Sequence, residues 1–211
     1  MNMKHKTNHL PNLINEYANL APIYDRRWSH YQQQSIKATL DRLQVDSQGN
    51  ILDLACGTGT LLSNLLEFVP AKNLFGIDIS SEMLAIAQEK LAATVHLEKA
   101  NSEELPFANN HFQQVISTNS LHYFQQPQKV LQEIKRVLKP GGELLITDWC
   151  HDFFTCRILD LYLRCFNKAH FYTYSSQELK TLLRQENFKD ISVDPYKINW
   201  FWGMMSAKAI K

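Results

Sequence analysis

The chain has 211 residues, with 22 Lys and Arg against 21 Asp and Glu, a length that suits one domain with a sizeable core. A formal net charge of +1 without a basic stripe leaves little footing for a nucleic-acid backbone, so nucleic acid is not an expected partner. No apolar run reaches bilayer-spanning length, and Met1–Lys6 carries two lysines with no apolar core behind them; neither an integral membrane segment nor a secretory signal is expected, and the expected location is cytoplasmic.

Four cysteines, at 56, 150, 156 and 165, contain no Cys-x-x-Cys pair. A disulfide framework is not expected in a chain with a core of this size. Cys150, His151, Cys156, Cys165 and His170 match no zinc-ligand spacing, so packed thiols and no metal are expected.

From Asn12 to Tyr31, apolar and aromatic residues (Leu13, Ile14, Tyr17, Leu20, Ile23, Tyr24, Trp28, Tyr31) recur at steps of mostly three and four. This predicts an amphipathic helical region interrupted at Pro22. Gln33–Leu43 predicts a further helix, and Asp46–Asn50 a polar turn. Ile51–Asp53 is a short apolar run ending in an acid, which reads as a buried parallel strand. Ala55, Gly57 and Gly59 then allow a tight turn and a close backbone approach to a ligand, and Leu61–Val69 resumes with helical spacing. In an open α/β sheet such a turn lies at the carboxyl end of its strand, where ligands bind, and the following helix offers free N–H groups there.

Two details narrow the ligand. A dinucleotide fingerprint wants a third small residue where Leu62 stands, and a phosphate loop wants a lysine that does not follow Gly57 or Gly59. What remains, Asp53-x-Ala55-x-Gly57-x-Gly59, resembles the first motif of the class I S-adenosylmethionine-dependent methyltransferases. The resemblance implies S-adenosyl-L-methionine as cofactor, with Asp53, Ala55, Gly57 and Gly59 in its site. Tyr24-Asp25 is similar to the Tyr-Asp of the family's amino-terminal lid, where the tyrosine closes over the cofactor; a core role for Tyr24 stands beside that reading.

Asn73–Ile79 predicts the second strand, with Ser80 capping a helix that runs to Leu91. Asp78, at the end of that strand, is placed to accept from both ribose hydroxyls, and the resemblance adds Ile79 and Met83 to the cofactor site. Thr94–Lys99 predicts the third strand. Ala100–Phe107 after it resembles the family's Asp-Ala-Glu-x-Leu-Pro-Phe segment, which passes beside the adenine and implies roles for Asn101 and Ser102. The family's Asp is Asn101 here, whose amide oxygen still accepts a hydrogen bond.

Phe112–Thr118 predicts the fourth strand, with Ser117 at the cofactor. The Asn-Pro-Pro-Tyr of enzymes that methylate nucleic-acid amino groups is absent, and Asn119-Ser120-Leu121-His122 instead resembles the Asn-x-Leu-His of small-molecule methyltransferases. Val130–Leu138 predicts a helix stopped by Lys139-Pro140-Gly141-Gly142, and Glu143–Trp149 the fifth strand. Residues 150–174 predict an aromatic-rich helical insert, with Phe153, Phe154, Tyr162, Phe166, Phe171, Tyr172 and Tyr174. Ser175–Asn187 opens with a Ser-x-x-Glu capping box, and Ile191–Val193 and Ile198–Ala209 predict two closing strands.

Alternating strands and helices predict an α/β fold with a doubly wound, Rossmann-like sheet and helices on both faces. The resemblance makes it a single domain (1–211) of seven strands, the seventh antiparallel, with a helical lid over 1–45. It places the chain near the ubiquinone/menaquinone and sterol-type branch and implies in-line methyl transfer to a small, apolar or aromatic acceptor, by a monomer or weak dimer. Such transfer rests mainly on proximity and alignment; a base is needed only for a protonated acceptor, and His122, Asp148 and His151 are the candidates. The aromatics of the amino-terminal segment and of the insert are expected to line the acceptor pocket. A nicotinamide-binding oxidoreductase, disfavoured by Leu62, and a cofactor-binding partner protein without turnover are the alternative readings.

Overall fold

A computed structural model of the chain describes residues 9–91 and 95–211. The amino-terminal segment forms α1 (His9–Leu20) and α2 (Tyr24–Leu40), separated by a single 3-10 turn at Ala21–Ile23 that contains Pro22. No residue between Ser29 and Gln34 breaks the helix, so the expected second helix beginning at Gln33 is the continuation of α2. Its later half is not a lid: Ser35, Ile36 and Thr39 are buried against the sheet.

The chain then alternates through β1 (Ile51–Leu54), α3 (Thr60–Leu65), β2 (Leu74–Asp78), α4 (Ser81–Lys90), β3 (His96–Lys99), β4 (Phe112–Thr118), α5 (Pro127–Val137) and β5 (Leu138–Trp149). It closes with α6 (Phe154–Phe166), α7 (Ser176–Gln185), β6 (Lys189–Lys197) and β7 (Gly203–Ile210). Of the two predicted helix-start devices, Ser80 accepts from Met83 N–H, and Ser175 forms a capping box with Glu178. Several boundaries differ from expectation: α5 begins at Pro127 rather than Val130, β5 at Leu138 rather than Glu143, and the closing strands are Lys189–Lys197 and Gly203–Ile210 rather than 191–193 and 198–209. Helix α3 ends at Leu65 rather than Val69. The Lys139–Gly142 stretch is not a glycine cap, because α5 passes directly into β5, within which Gly141 makes a left-handed kink (φ +75°).

The seven strands form one sheet in the order β3-β2-β1-β4-β5-β7-β6. All neighbouring pairs are parallel except those of β7, which runs antiparallel to β5 and β6. Alternation along each strand divides the core into two layers. Leu52, Leu54, Val115, Leu144 and Ile146 point to one face, with Val130, Leu131 and Ile134 of α5 and Leu179 and Leu183 of α7. Ile51, Ile116 and Leu145 point to the other, with Ile36 of α2, Leu61, Leu62 and Leu65 of α3 and Ala87 of α4. Burying each such Leu, Ile or Val contributes about 1.5–3 kcal/mol. Both faces are therefore covered, and the ligand position left to the fold is the carboxyl edge where the strand order reverses, between β1 and β4. Among the described residues, no helix is long and apolar enough to cross a membrane.

Candidate active site

A cleft of about 320 Å³ opens at that edge, over the ends of β1, β2 and β4 and beneath α1 and the start of α2. Its floor is the glycine turn. Ala55, Gly57 and Gly59 all take positive φ (60°, 53° and 73°), which for Ala55 costs about 1–2 kcal/mol, strain of a kind held at functional sites. The turn is tied to β2, with Cys56 N–H donating to Ile77 O (2.8 Å) and Gly57 N–H to Asp78 Oδ2 (2.9 Å).

The two glycines answer different needs. A Cβ on Gly57 would meet no atom within 4 Å, so its missing side chain leaves room in the cleft itself. A Cβ on Gly59 would lie 2.8 Å from Leu91 Cδ1 and 3.1 Å from Ala87 Cβ, so Gly59 is there to let α4 pack. Gly59 accordingly does not line the cleft, whereas Tyr24, Asp53, Ala55, Gly57, Asp78, Ile79, Met83, Asn101 and Ser102 do. Ser117 is also outside it, buried and paired to Ser120 Oγ at 2.7 Å; Ser120 is the hydroxyl that faces the cleft.

Asp78 also accepts from Ser80 N–H (2.8 Å); burial nonetheless raises its carboxyl above the usual range, the Ser80 and Gly57 N–H groups opposing the shift. Burial, with the charge of Asp78 second, pushes Asp53 up to about 8. Two carboxyls thus share a poorly solvated floor that favours a cationic ligand. Burial also pushes the Tyr24 phenol up to about 12 and raises Tyr17 and Tyr123, so all three stay neutral and act as hydrogen-bonding walls. Asn101 Oδ1 accepts from Glu103 N–H (3.0 Å), shaping the loop beside Ser102. Arg136 holds the next part of that loop, donating to the carbonyls of Leu105 (2.9 Å) and Phe107 (2.7 Å).

The cleft wall also includes His9, Leu10, Leu13, Tyr17, Tyr123 and Phe124, together with Glu103, Gln125 and Gln126. Tyr17 and Tyr123 meet edge to face at 5.4 Å, and His9 Nε2 lies 2.8 Å from Tyr123 O. The start of α2 is fastened to the turn: Thr58 Oγ1 donates to Asp25 Oδ1 (2.6 Å), and Lys90 Nζ reaches Asp25 Oδ2 (2.7 Å) and Thr60 Oγ1 (2.9 Å).

The three candidate bases are not at the cleft. His122 and Asp148 are 2% and 1% exposed. His122 Nδ1 contacts Asp148 Oδ1 at 2.6 Å, and Asp148 also accepts the N–H groups of His122 (3.2 Å) and Trp149 (2.6 Å). The imidazole stacks on Trp149 at 4.1 Å, and its Nε2 has no hydrogen-bond partner among the described residues. The pair therefore acts as a buried brace joining the ends of β4 and β5. It reaches the cleft only indirectly: Trp149 Nε1 donates to Tyr31 Oη (2.6 Å), which donates to Asn119 Oδ1 (2.6 Å) on the cleft wall. His151 lies beneath α6, 4.0 Å from Asp160 and stacked near Tyr172. Nor do the insert aromatics line the cleft: Tyr174 is in the core, Phe171 packs on His9, and Phe154 faces solvent.

Sequence reasoning missed His9, Leu10, Gln32, Thr58, Asn119 and Gln126 on the wall. Only Asn119 carried a local signal, because asparagine tolerates the left-handed conformation (φ +59°) in which it turns the chain after β4.

The profile of the methyltransferase domain family matches residues 51–142, the span holding the glycine turn, Asp78 and Asn101. The ubiquinone/menaquinone biosynthesis C-methyltransferase of Geotalea daltonii is 26% identical over 78% of this chain and 74% of its own length. The demethylmenaquinone methyltransferase of Lactiplantibacillus plantarum is 27% identical over 87% and 90%. Among solved structures, a Haemonchus contortus phosphoethanolamine N-methyltransferase bound to S-adenosylhomocysteine superposes with a TM-score of 0.75 at 19% identity, covering 92% of this chain and 58% of that one.

Proposed function

The chain belongs to the class I S-adenosylmethionine-dependent methyltransferases, and from that premise we propose that its acceptor is a small molecule of largely apolar or aromatic character. When bound, S-adenosylmethionine supplies an electrophilic methyl group on a sulfonium. The open space at Gly57 and the two floor carboxylates fit such a ligand. We assign the ribose to Asp78, the adenine side to Met83, Ile79, Asn101 and Ser102, and the cationic end to the Asp53 side of the floor. The observation that carries the acceptor reading is the apolar and aromatic lining that α1 and the segment after β4 add to the cleft beside its carboxylates: Leu10, Leu13, Tyr17, Tyr123 and Phe124, with His9. An apolar wall there receives a flat or aliphatic body and excludes water around the reacting atoms. The two curated relatives, by their names, act in quinone biosynthesis, which accords with this reading.

With His122, Asp148 and His151 outside the cleft, this chain's own contribution is to hold acceptor and cofactor in line, where proximity alone supplies several kcal/mol. Closure of α1 and α2, latched by Asp25, Thr58 and Lys90, would serve that alignment. The test is a screen of quinols, phenols, amines, lipids and polar alcohols, read as S-adenosylhomocysteine formed. Turnover on quinol- or phenol-like acceptors, reduced by Tyr123→Ala more than cofactor binding is, supports the assignment; turnover confined to strongly polar acceptors refutes it.

A further inference from the structure

Helix α6 carries its apolar side chains on the outside. Phe154, Ile158, Leu161, Tyr162 and Phe166 are 73, 55, 66, 58 and 75% exposed, and at 3.6 residues per turn they share one face, while Cys156 and Asp160 face inward and are buried. Trp200, 81% exposed, extends the strip at the start of the helix. The β6–β7 turn that carries it is fastened to the first turn of α6, where Thr155 Oγ1 donates to Phe201 O and Cys156 Sγ to Gly203 O. At the far end, Asn167 Nδ2 donates to Glu16 (3.0 Å) and His9 Nδ1 lies 3.3 Å from Lys168 O, which sets the strip against α1. Leu10 of α1 is itself 38% exposed and lines the cleft. The strip therefore runs about 20 Å along α6, from a tryptophan to the mouth of the cleft.

The charges on the helix itself are mostly cationic, with Asp152 ahead of its first turn and Glu16 of α1 near its far end. Arg157 and Lys168 are exposed and Arg164 is half-buried. The single carboxylate of α6, Asp160, is buried and held by His170 (2.8 Å), Thr173 N–H (2.9 Å) and Arg164 (3.4 Å). The outward surface of the helix is thus apolar and cationic with no acid. Soluble proteins rarely leave so long a contiguous apolar face uncovered.

We propose that this face docks the protein onto the surface of an anionic lipid bilayer, with α6 lying in the headgroup plane. An interfacial helix of this kind sinks Phe, Leu and Trp toward the acyl boundary while Arg and Lys remain with the phosphates, and Trp and Tyr favour headgroup depth. A row of exposed apolar side chains on a helix whose own outward charges, Arg157 and Arg164, are cationic, with Lys168 just beyond its end, complements a soft anionic surface. Docking places Leu10 and the cleft mouth at the lipid boundary, so that an acceptor dissolved in the bilayer enters directly; that last clause alone rests on the apolar acceptor proposed above.

The test uses the full chain with phosphatidylcholine vesicles, with and without phosphatidylglycerol, and reads the pelleted fraction at low and high salt. Binding to the anionic vesicles, weakened by salt and reduced about tenfold or more in a Leu161→Gln, Phe166→Gln double variant, is expected. That variant should keep its melting temperature and S-adenosylhomocysteine affinity, since both side chains are exposed. In wild type but not in Trp200→Phe, part of the tryptophan emission should shift to the blue on adding vesicles. Equal pelleting of wild type and variant, or none by either, overturns the proposal. A concentration-dependent dimer that the double variant loses, without vesicle binding, also overturns it and makes the face a self-interface.

Discussion

Gly57 and Gly59 share a motif and a left-handed backbone, yet substitution by alanine should separate them cleanly. Each alanine pays about 1–2 kcal/mol for positive φ. At Gly57 that is the whole cost to the fold, because the added methyl meets no atom within 4 Å. At Gly59 the methyl lies 2.8 Å from Leu91 and 3.1 Å from Ala87, and overpacking adds about 1–3 kcal/mol. At about 2–4 °C per kcal/mol for a chain of this size, Gly57→Ala should lower Tm by about 2–8 °C and Gly59→Ala by about 4–20 °C. Cofactor affinity should show the opposite order. The methyl on Gly57 stands where the ligand must approach, and a loss of about tenfold or more corresponds to at least about 1.4 kcal/mol. The folded fraction of Gly59→Ala should bind close to wild type. Differential scanning fluorimetry and titration calorimetry with S-adenosylhomocysteine measure both quantities. Undiminished affinity in Gly57→Ala, or a larger affinity loss at Gly59 than at Gly57, refutes the assignment of Gly57 to the ligand and Gly59 to packing.

Asp53 makes cofactor binding pH-dependent. Held up to about 8 in the cofactor-free protein, its carboxyl is mostly protonated at neutral pH, and a cationic ligand beside it must expel that proton. Affinity should rise with pH, by at most roughly a decade per unit, and level off above about 8. Because the folded value lies above the unfolded one, the same group lowers the stability of the free protein progressively as pH rises from about 4 to about 8; Asp53→Asn should flatten both profiles, and an unchanged slope would remove Asp53 from the cationic end. Asp25→Ala removes the fastening at Lys90, a partly exposed pair worth at most about 1 kcal/mol, so stopped-flow should show faster cofactor release with affinity weakened by no more than about fivefold. His122→Ala strips the buried Asp148 of its side-chain partner and should cost about 3–5 kcal/mol of stability, while the folded protein still binds cofactor; a variant of wild-type stability that has lost only turnover would restore His122 to the chemistry. Oligonucleotides of RNA or DNA should take up no methyl group at physiological salt, given a net charge of +1, as scintillation counting with labelled cofactor would register.

The glycine turn, Asp78 and the capping residues were legible because each answers a local demand: positive φ, a carboxylate ending a strand, an oxygen ahead of a helix. The sheet was legible because period-two and period-3.6 patterns alternate along the chain. The candidate bases were not, since their role depends on side-chain direction at the ends of β4 and β5. There His122 and Asp148 turn toward each other and away from the cleft. The aromatics of residues 150–174 show the same limit. Spacing identifies an apolar face on α6, but nothing in the spacing says whether that face meets a pocket, a core or a lipid surface. The walls at His9 and Gln126 come from segments far apart in the chain, and no single stretch announces such a juxtaposition.

The place of β7 bears on how the molecule comes into being. It fills the slot between β5 and β6, pairing Glu143 through Trp149 of β5 with Ile210 through Met204, and it is the last of the seven strands to be synthesised. Until it arrives, β5 presents an open edge that includes Leu144, Leu145 and Ile146, all buried in the finished sheet. Open apolar edges are templates for pairing with other chains. The nascent protein is therefore most prone to self-association while α6, α7 and β6 are being made, and variants that slow the docking of β7 should lower soluble yield even where they leave the cleft untouched. The strands that floor the cleft are made early, and the sheet holding them is sealed by the strand made last.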